Sequence, residues 1–289
     1  MAERILVTGA TGTIGRELVR LLSERGAAVV AGVTSEDKAA ALEAQGVRAE
    51  VFSYSDAESL GRIMEGKARV FLLLPFTEGM KRWGLAALDA AKAAGVGHVV
   101  RSSALLADTE AHFQLGKVHG GVDHALEESG LPFTILRPNI FMQNYALRLS
   151  GEIREKNRFS LPEADSRTSL IDARDIAACA AAVLLDPAEH AGRTYLLTGP
   201  ESLSNADVAV ILSAEAGREI AYRPLSEEQA REAWLSAGLP EWNANMLLGL
   251  ARQVREGVTG MVTGAVRHLA GRDPVPFRQF ARDVRRSWI

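Results

Sequence analysis

The chain has 289 residues, of which 47% are hydrophobic, so it is long enough for one α/β domain with an appended lobe. Its formal net charge of -3, without a run of like charges, argues against a nucleic-acid surface, which needs clustered lysine and arginine. Cys179 is the single cysteine, which excludes a disulfide framework and a multi-cysteine metal site. No signal peptide and no stretch of eighteen apolar residues is apparent, so we expect a cytoplasmic protein without a membrane partner.

Short apolar runs alternate with helical patterns from residue 4 to residue 199. The runs are continuously apolar, which is typical of strands in a parallel sheet covered on both faces. The pattern therefore predicts a doubly wound α/β (Rossmann) fold. Strands are predicted at 4–10, 27–33, near 48–52, and at 69–75, 98–104, 132–138 and 194–199, with helices at 14–26, 36–45, after Asp56, and at 81–94, up to 129 and at 174–185.

After Gly199 the pattern becomes mostly helical, without a clear strand of the earlier kind. We therefore predict a dinucleotide-binding domain over residues 1–200 and a smaller, mainly helical substrate lobe over residues 201–289. Residues 142–166 are left open between the two.

Three glycines follow the first predicted strand, in the stretch GATGTIG. Gly9, Gly12 and Gly15 would permit a tight turn and let the backbone approach a pyrophosphate at the helix N-terminus. A glycine-rich connection without a ligand is the alternative. The strand before, the helix after and the alternation beyond favour a dinucleotide site.

The spacing G-x-x-G-x-x-G and several later stretches resemble one known family. The stretches, in chain order, are VTGATGTIG, HVVRSSA, SGLPFTILRPNIFMQN, IDARDIA and YLLTGPESLS. Together they resemble the NmrA-like group of atypical short-chain dehydrogenases, which includes quinone, triarylmethane-dye and isoflavone reductases. The match extends from residue 4 to about residue 225.

The resemblance implies a set of cofactor contacts at the glycine turn and at later strand ends. Strand-end capping is the alternative for the two serines, and core packing is the alternative for Phe76. The implied residues are Gly9, Thr11, Gly12, Thr13, Ile14 and Gly15 at the turn, and Leu74, Pro75, Phe76, Ser102, Ser103, Pro138, Asn139 and Ile140 at the strand ends.

The choice between NADP and NAD depends on the end of the second strand. Family members that use NADP usually carry arginine at the position of Thr34, and an NAD enzyme would place a carboxylate where Gly32 and Val33 stand. Neither group is present. Lys38, with Thr34 and Ser35 before it, could reach a 2′-phosphate or be a solvated lysine, so we favour NADP slightly and keep NAD open.

No tyrosine in the chain is followed four residues later by lysine, which is the pair expected of short-chain reductases. Phe113 and Lys117 have that spacing without the hydroxyl. Counted back from SGLP, the resemblance aligns the family's lysine or histidine position with His119 and its tyrosine position with Leu115. His119 could bind the nicotinamide ribose, pass a proton, or be a plain histidine.

Two readings of function remain. The first is an NAD(P)H-dependent reductase without a Tyr-Lys pair, acting on a small conjugated or aromatic acceptor such as a quinone, an iminium ion or a cationic dye. The second is a non-catalytic regulator that binds the dinucleotide and a protein partner. We favour the enzyme, with a homodimer as one option for its assembly.

The predicted substrate contacts are Phe76, Ala104, Phe113 and Phe141, and core packing is an alternative for Phe141. Asp172 or Asp175 is predicted to cap a helix.

Overall fold

A computed structural model describes residues 3–289 and divides the chain into two compact units. The first unit holds the residues up to His112 together with Gly116–Arg137 and Ile176–Leu196. The second holds Phe113–Leu115, Pro138–Asp175 and Leu197–Ile289. The chain therefore passes several times from one unit to the other, whereas the division predicted from the sequence is a single boundary at residue 200. Residues 142–166 lie in the second unit.

The strands and helices follow the predicted alternation, with one helix and two short strands between residues 138 and 173 that were not predicted. The strands are β1 Arg4–Thr8, β2 Ala28–Val33, β3 Ala49–Val51, β4 Lys67–Leu72, β5 His98–Ser102, β6 Phe133–Pro138, β7 Arg158–Leu161, β8 Arg167–Thr168, β9 Arg193–Leu197, β10 Leu203–Ser204 and β11 Ala221–Pro224. The helices are α1 Thr13–Glu24, α2 Glu36–Glu43, α3 Ala57–Met64, α4 Met80–Ala93, α5 Gln114–Glu128, α6 Ser150–Lys156, α7 Ala173–Leu185, α8 Asn205–Ala216, α9 Glu227–Ser236, α10 Glu241–Arg255, α11 Ala265–Ala270 and α12 Phe277–Asp283.

Seven strands form one sheet in the order β3-β2-β1-β4-β5-β6-β9. β1 pairs in parallel with β2 and β4, β2 with β3, β4 with β5, and β5 with β6. The strand order reverses direction at β1, so the carboxyl ends of β1 and β4 flank the point at which a doubly wound sheet binds ligands. The predicted fold class is confirmed.

The sheet strands are apolar because both faces are covered. β1 and β2 are buried over nearly their whole lengths, and α1 presents Leu18, Val19 and Leu22 to the interior at helical spacing. Thr8 ends β1 with a hydroxyl that donates to the carbonyl oxygen of Phe71 at 3.0 Å. This bond ties the carboxyl end of β1 to β4, beside the glycine turn.

The second unit has its own apolar core, which includes Tyr145, Phe159, Phe277 and Trp288. It also contains two small sheets, in which β11 pairs in parallel with β7 and β10 pairs antiparallel with β8. The structure therefore has two short strands after Gly199, although neither is a continuous apolar strand of the earlier kind. β10 has two residues and β11 has four that are mostly exposed, so neither produces the long apolar run by which the other strands were recognised.

Among residues 3–289, no helix has both the length and the apolar character required to cross a bilayer. Over the same residues, no group of three or more histidine, cysteine, aspartate or glutamate side chains is arranged to hold a metal ion.

Candidate functional site

Two of the three glycines in the turn after β1 are required by the protein's own packing. Gly9 has φ +65°, and a Cβ at this position would lie 2.5 Å from Cδ2 of Leu73. A Cβ on Gly15 would lie only 2.1 Å from the carbonyl oxygen of Gly9. A side chain at Gly15 would force the turn and α1 apart, and one at Gly9 would be strained by the positive φ and would displace Leu73.

Gly12 is less constrained by internal packing than Gly9 and Gly15. Its φ of -78° and ψ of 178° suit any residue, and a Cβ would meet only the carbonyl oxygen of Gly9, at 3.2 Å. It is exposed and is the N-cap of α1, and no side chain caps that helix end. The first N–H groups of a helix lack intrahelical partners and attract anions. A turn that keeps the space before them open fits a pyrophosphate.

Packing at the end of β2 explains why no carboxylate is found at positions 32 and 33. A Cβ on Gly32 would lie 3.1 Å from Cε1 of Phe52 and 3.3 Å from Cδ1 of Ile63, so this position packs in the core. Val33 is also buried, and Thr34 is the first exposed residue after the strand. The Lys38 ammonium donates to the Thr34 hydroxyl at 3.3 Å, which places the lysine at the end of β2. Ser35 is the N-cap of α2 and makes no side-chain capping bond.

The residues after β4 and β5 differ in exposure. Leu74 is buried in the hydrophobic core of the first unit. Pro75, Phe76 and Ala104 are half-buried, while Ser102 and Ser103 are buried. The Ser103 hydroxyl donates to Oδ2 of Asp123 at 2.7 Å, so it is already engaged within the protein.

His119 is buried on α5, with 9% of its surface exposed, and its Nδ1 accepts from a guanidinium nitrogen of Arg101 at 3.3 Å. Burial lowers the pKa of His119 well below its usual value, and the charges of Arg101 and Arg137 lower it further. The ring is therefore neutral at pH 7. Because Nδ1 accepts from a guanidinium, which can only donate, the remaining proton lies on Nε2, and His119 offers one N–H donor.

Arg101, Asp123 and Arg137 are the residues that sequence reasoning missed. Asp123 Oδ2 accepts from Nε of Arg137 at 3.0 Å, and its Oδ1 lies 3.9 Å from Nε of Arg101. Both Arg101 and Asp123 are buried, at 0% and 1% exposure. Arg101 interrupts the apolar strand HVVRS, and Asp123 follows His119 by one helical turn. A charge inside a buried strand and a carboxylate at that spacing were the available signals.

The remaining site candidates, Pro138, Asn139, Ile140, Phe113 and Phe141, lie in the second unit. Asn139 is buried, and its amide nitrogen donates to the carbonyl oxygens of Ser169 at 3.1 Å and Thr259 at 2.8 Å. Its side-chain oxygen accepts from the backbone N–H of Ile140 at 2.9 Å. The polar atoms of Asn139 are thus engaged within the unit.

One member of the IDARDIA stretch caps a helix. Asp172 precedes α7 and accepts from the backbone N–H of Arg174 at 2.8 Å and from its guanidinium at 2.7 Å. Asp175 instead accepts from the backbone N–H of Val275 at 2.8 Å and pairs with Arg272 at 2.6 Å. The capping prediction holds for Asp172, and both carboxylates serve structure in the second unit.

The family is established by comparison with known proteins. Residues 1–260 match the model of the NmrA-like family, and the chain belongs to this family. The family prediction is confirmed.

Curated relatives cover almost the whole chain. It is 37% identical over 278 residues to the NAD(P)H azoreductase of Xenophilus azovorans, with 96% of each chain covered. It is 31% identical to quinone oxidoreductase 2 of Escherichia coli strain K12, with 84% of this chain and 85% of that protein covered. The crystal structure of the Escherichia coli NADPH-dependent quinone oxidoreductase with NADPH superposes with a TM-score of 0.87 at 27% identity, covering 99% of this chain and all of that one.

Proposed function

We propose that this chain transfers hydride from NAD(P)H to a small conjugated or aromatic acceptor without a Tyr-Lys pair. The chain is an NAD(P)H-dependent reductase of the NmrA-like family. Relatives named azoreductase and quinone oxidoreductase support acceptors of the quinone or dye type.

NAD(P)H supplies the hydride when it is bound. The open N-terminus of α1 behind Gly12 supports binding of the pyrophosphate there. We propose that the following residues form the rest of the cofactor site: Gly9, Thr11, Thr13, Ile14, Gly15, Thr34, Ser35, Lys38, Leu74, Pro75, Phe76, Ser102, Ser103, His119, Pro138, Asn139 and Ile140. Phe76, Ala104, Phe113 and Phe141 are the proposed substrate contacts.

The neutral protonation state of His119 is the observation on which the proposed class of acceptor depends. Hydride addition to a simple ketone leaves an alkoxide that must be protonated as it forms, which requires a positioned acid. A neutral imidazole with one N–H can donate a hydrogen bond but is a poor acid, and the sequence lacks the tyrosine that would serve instead. Hydride addition to a quinone leaves a delocalised anion, and addition to a cationic acceptor leaves a neutral product. Neither requires a strong acid, so proximity and orientation can supply most of the catalysis.

The test is a panel of acceptors assayed by NAD(P)H oxidation. We expect turnover with quinones, azo compounds or conjugated cations, and negligible turnover with unconjugated ketones of similar size. Dinucleotide binding, measured in parallel by calorimetry, separates loss of the cofactor from loss of the acceptor. Efficient reduction of a simple ketone would contradict the proposal. Intact dinucleotide binding without turnover on any acceptor, together with a co-purifying protein partner, would favour the regulator instead.

A further inference from the structure

The second unit contains a cavity of about 1000 Å³. Its lining is mainly apolar, with the Trp234 and Tyr145 rings among aliphatic side chains. The aliphatic members include Ile140, Leu149, Leu161, Leu170, Leu247 and Leu250. The volume is at the upper end of the range typical of small-molecule sites, and a wall of this kind suits an aromatic or aliphatic body.

Three carboxylates line this cavity, those of Glu152, Glu163 and Glu232, and that of Glu163 is held in place by a chain of hydrogen bonds. The amide nitrogen of Asn205 donates to Oε2 of Glu163 at 2.8 Å, and the Tyr145 hydroxyl donates to the amide oxygen of Asn205 at 2.6 Å. Asn205 and Tyr145 are both buried. Neither residue carries a positive charge, so the chain orients the carboxylate without neutralising it.

The backbone on either side of Glu163 is also constrained. The Arg255 guanidinium donates to the carbonyl oxygen of Pro162 at 2.6 Å, and the Ser166 N–H donates to the carbonyl oxygen of Glu163 at 3.3 Å. Ala164 adopts the left-handed conformation, with φ +50°. An alanine in this region is strained, and such strain persists where the surrounding structure imposes it. The position of the carboxylate is therefore imposed by its surroundings.

Glu163 forms no ion pair with any cationic side chain among the residues that the structure describes. Arg255, whose charge acts on it, pairs with Glu227 instead. Burial raises the pKa of Glu163, while the hydrogen bond from Asn205 and the charge of Arg255 oppose that rise. Glu163 is half-buried, and a carboxylate partly withdrawn from water without a cation is costly unless a partner neutralises it.

We propose that the cavity binds a compound with an apolar or aromatic body and a protonated amine, whose N–H donates to the Glu163 carboxylate. The amine supplies the positive charge of an ion pair for which Glu163 has no partner among the described residues. The Trp234 and Tyr145 rings can contact the cation as well as the apolar body. Three of the four cations at the cavity wall, Arg148, Lys156 and Arg223, are exposed, so solvent and salt screen their repulsion of the ligand. The fourth, Arg158, is half-buried and is paired with Glu152 at 3.1 Å. The inference concerns binding alone and does not require hydride transfer.

The experiment compares two probes of matched shape, 2-naphthylmethylamine and 2-naphthylmethanol, by calorimetry at pH 7 without dinucleotide. We expect the amine to bind at least about tenfold more tightly to the unmodified protein, a difference of about 1.4 kcal/mol. Glu163→Gln should abolish that preference and leave affinity for the alcohol unchanged. Glu232→Gln, which alters an exposed carboxylate lining the same cavity, should retain it. Equal affinities in the unmodified protein, or a preference that survives Glu163→Gln, would overturn the proposal.

A second measurement uses only the unmodified chain, so it does not depend on the folding of a variant. Acidification protonates the carboxyl while the amine remains charged, so affinity for the amine should fall as pH decreases and affinity for the alcohol should not. A preference that is constant with pH down to 4.5 would overturn the assignment to Glu163. Quinone reduction is assayed separately, so failure of amine binding with intact turnover touches this inference alone.

Discussion

The guanidinium of Arg101, on β5, lies 3.3 Å from Nδ1 of His119, on α5. A fixed positive charge beside a buried imidazole favours the neutral ring, and the donated hydrogen bond selects the tautomer with the proton on Nε2. Burial, and then this contact, turn a residue that could act as a proton donor near pH 7 into a neutral hydrogen-bond donor.

The neutral state of His119 predicts the pH dependence of the reductase. Because its pKa lies well below its usual value, kcat/KM should show no inflection from an imidazolium between pH 6 and 8. His119→Ala should lower kcat/KM about tenfold, or about 1.4 kcal/mol, and His119→Asn, which keeps an N–H donor, should lower it less. His124→Asn, an exposed change on the same helix, is the control. An inflection near pH 6.5 that disappears in His119→Asn would contradict the assignment.

The glycine turn predicts two different phenotypes for neighbouring substitutions. Gly12→Val should remain folded and lose dinucleotide binding, since the one close contact of its Cβ is the carbonyl oxygen of Gly9, at 3.2 Å, and its side chain occupies the space before the helix N-terminus. Gly15→Ala should lower the free energy of unfolding by about 1–3 kcal/mol or more, because its Cβ would overlap the carbonyl of Gly9. Thermal melts and calorimetry of both variants separate these effects. Undiminished binding by folded Gly12→Val would place the dinucleotide elsewhere.

Cofactor discrimination should be weak because β2 ends without an arginine or a carboxylate. Affinities for NADPH and NADH should differ by about tenfold or less, which is about 1.4 kcal/mol. Lys38→Ala should weaken NADPH more than NADH, since the ammonium beside Thr34 is the available partner for a 2′-phosphate. Lys92→Ala, on the exposed surface of α4, should change neither affinity. Equal losses for both dinucleotides in Lys38→Ala would show that this lysine does not contact the phosphate.

The lowered pKa of His98 predicts that the protein loses stability in mild acid. It is 3% exposed, and burial, followed by the charges of Arg69 and His190, lowers its pKa to about 4. Its Nε2 donates to the Thr134 hydroxyl at 2.9 Å, because that hydroxyl donates onward to the carbonyl oxygen of His190 at 2.7 Å. The neutral form is thus the one that the fold accommodates.

The direction in which the free energy of unfolding changes with pH follows from the lowered pKa of His98 in the folded state. The unfolded chain binds the proton first as pH falls, so the contribution of His98 is fully present above about pH 6.5 and is lost towards pH 4. Its size is roughly 3 kcal/mol, from the two pKa values. Urea unfolding between pH 7 and 4 should show a shallower pH dependence in His98→Asn than in the unmodified chain. His112→Asn, an exposed change, should leave the dependence as it is. Parallel curves for all three proteins would refute the assignment.

Parts of the candidate site could be read from the sequence because they are local. The glycines of GATGTIG, the strand before them and the helix after them lie within about twenty consecutive residues. Lys38 and Thr34 are one helical turn apart, so their proximity also follows from chain order. The position of His119 came from the family resemblance, and its neighbours could not be obtained in that way.

The alternation of apolar runs and helical patterns determined the doubly wound sheet, since each pattern expresses the burial of a short segment. The sequence also determined the absence of a tyrosine four residues before a lysine. Only the tertiary structure decided the electrostatics, because Arg101 and His119 are 18 residues apart and Glu163 and Asn205 are 42 apart. A pKa or an unneutralised carboxylate depends on burial and on charges within a few ångströms, and those distances exist only once separate elements have packed together.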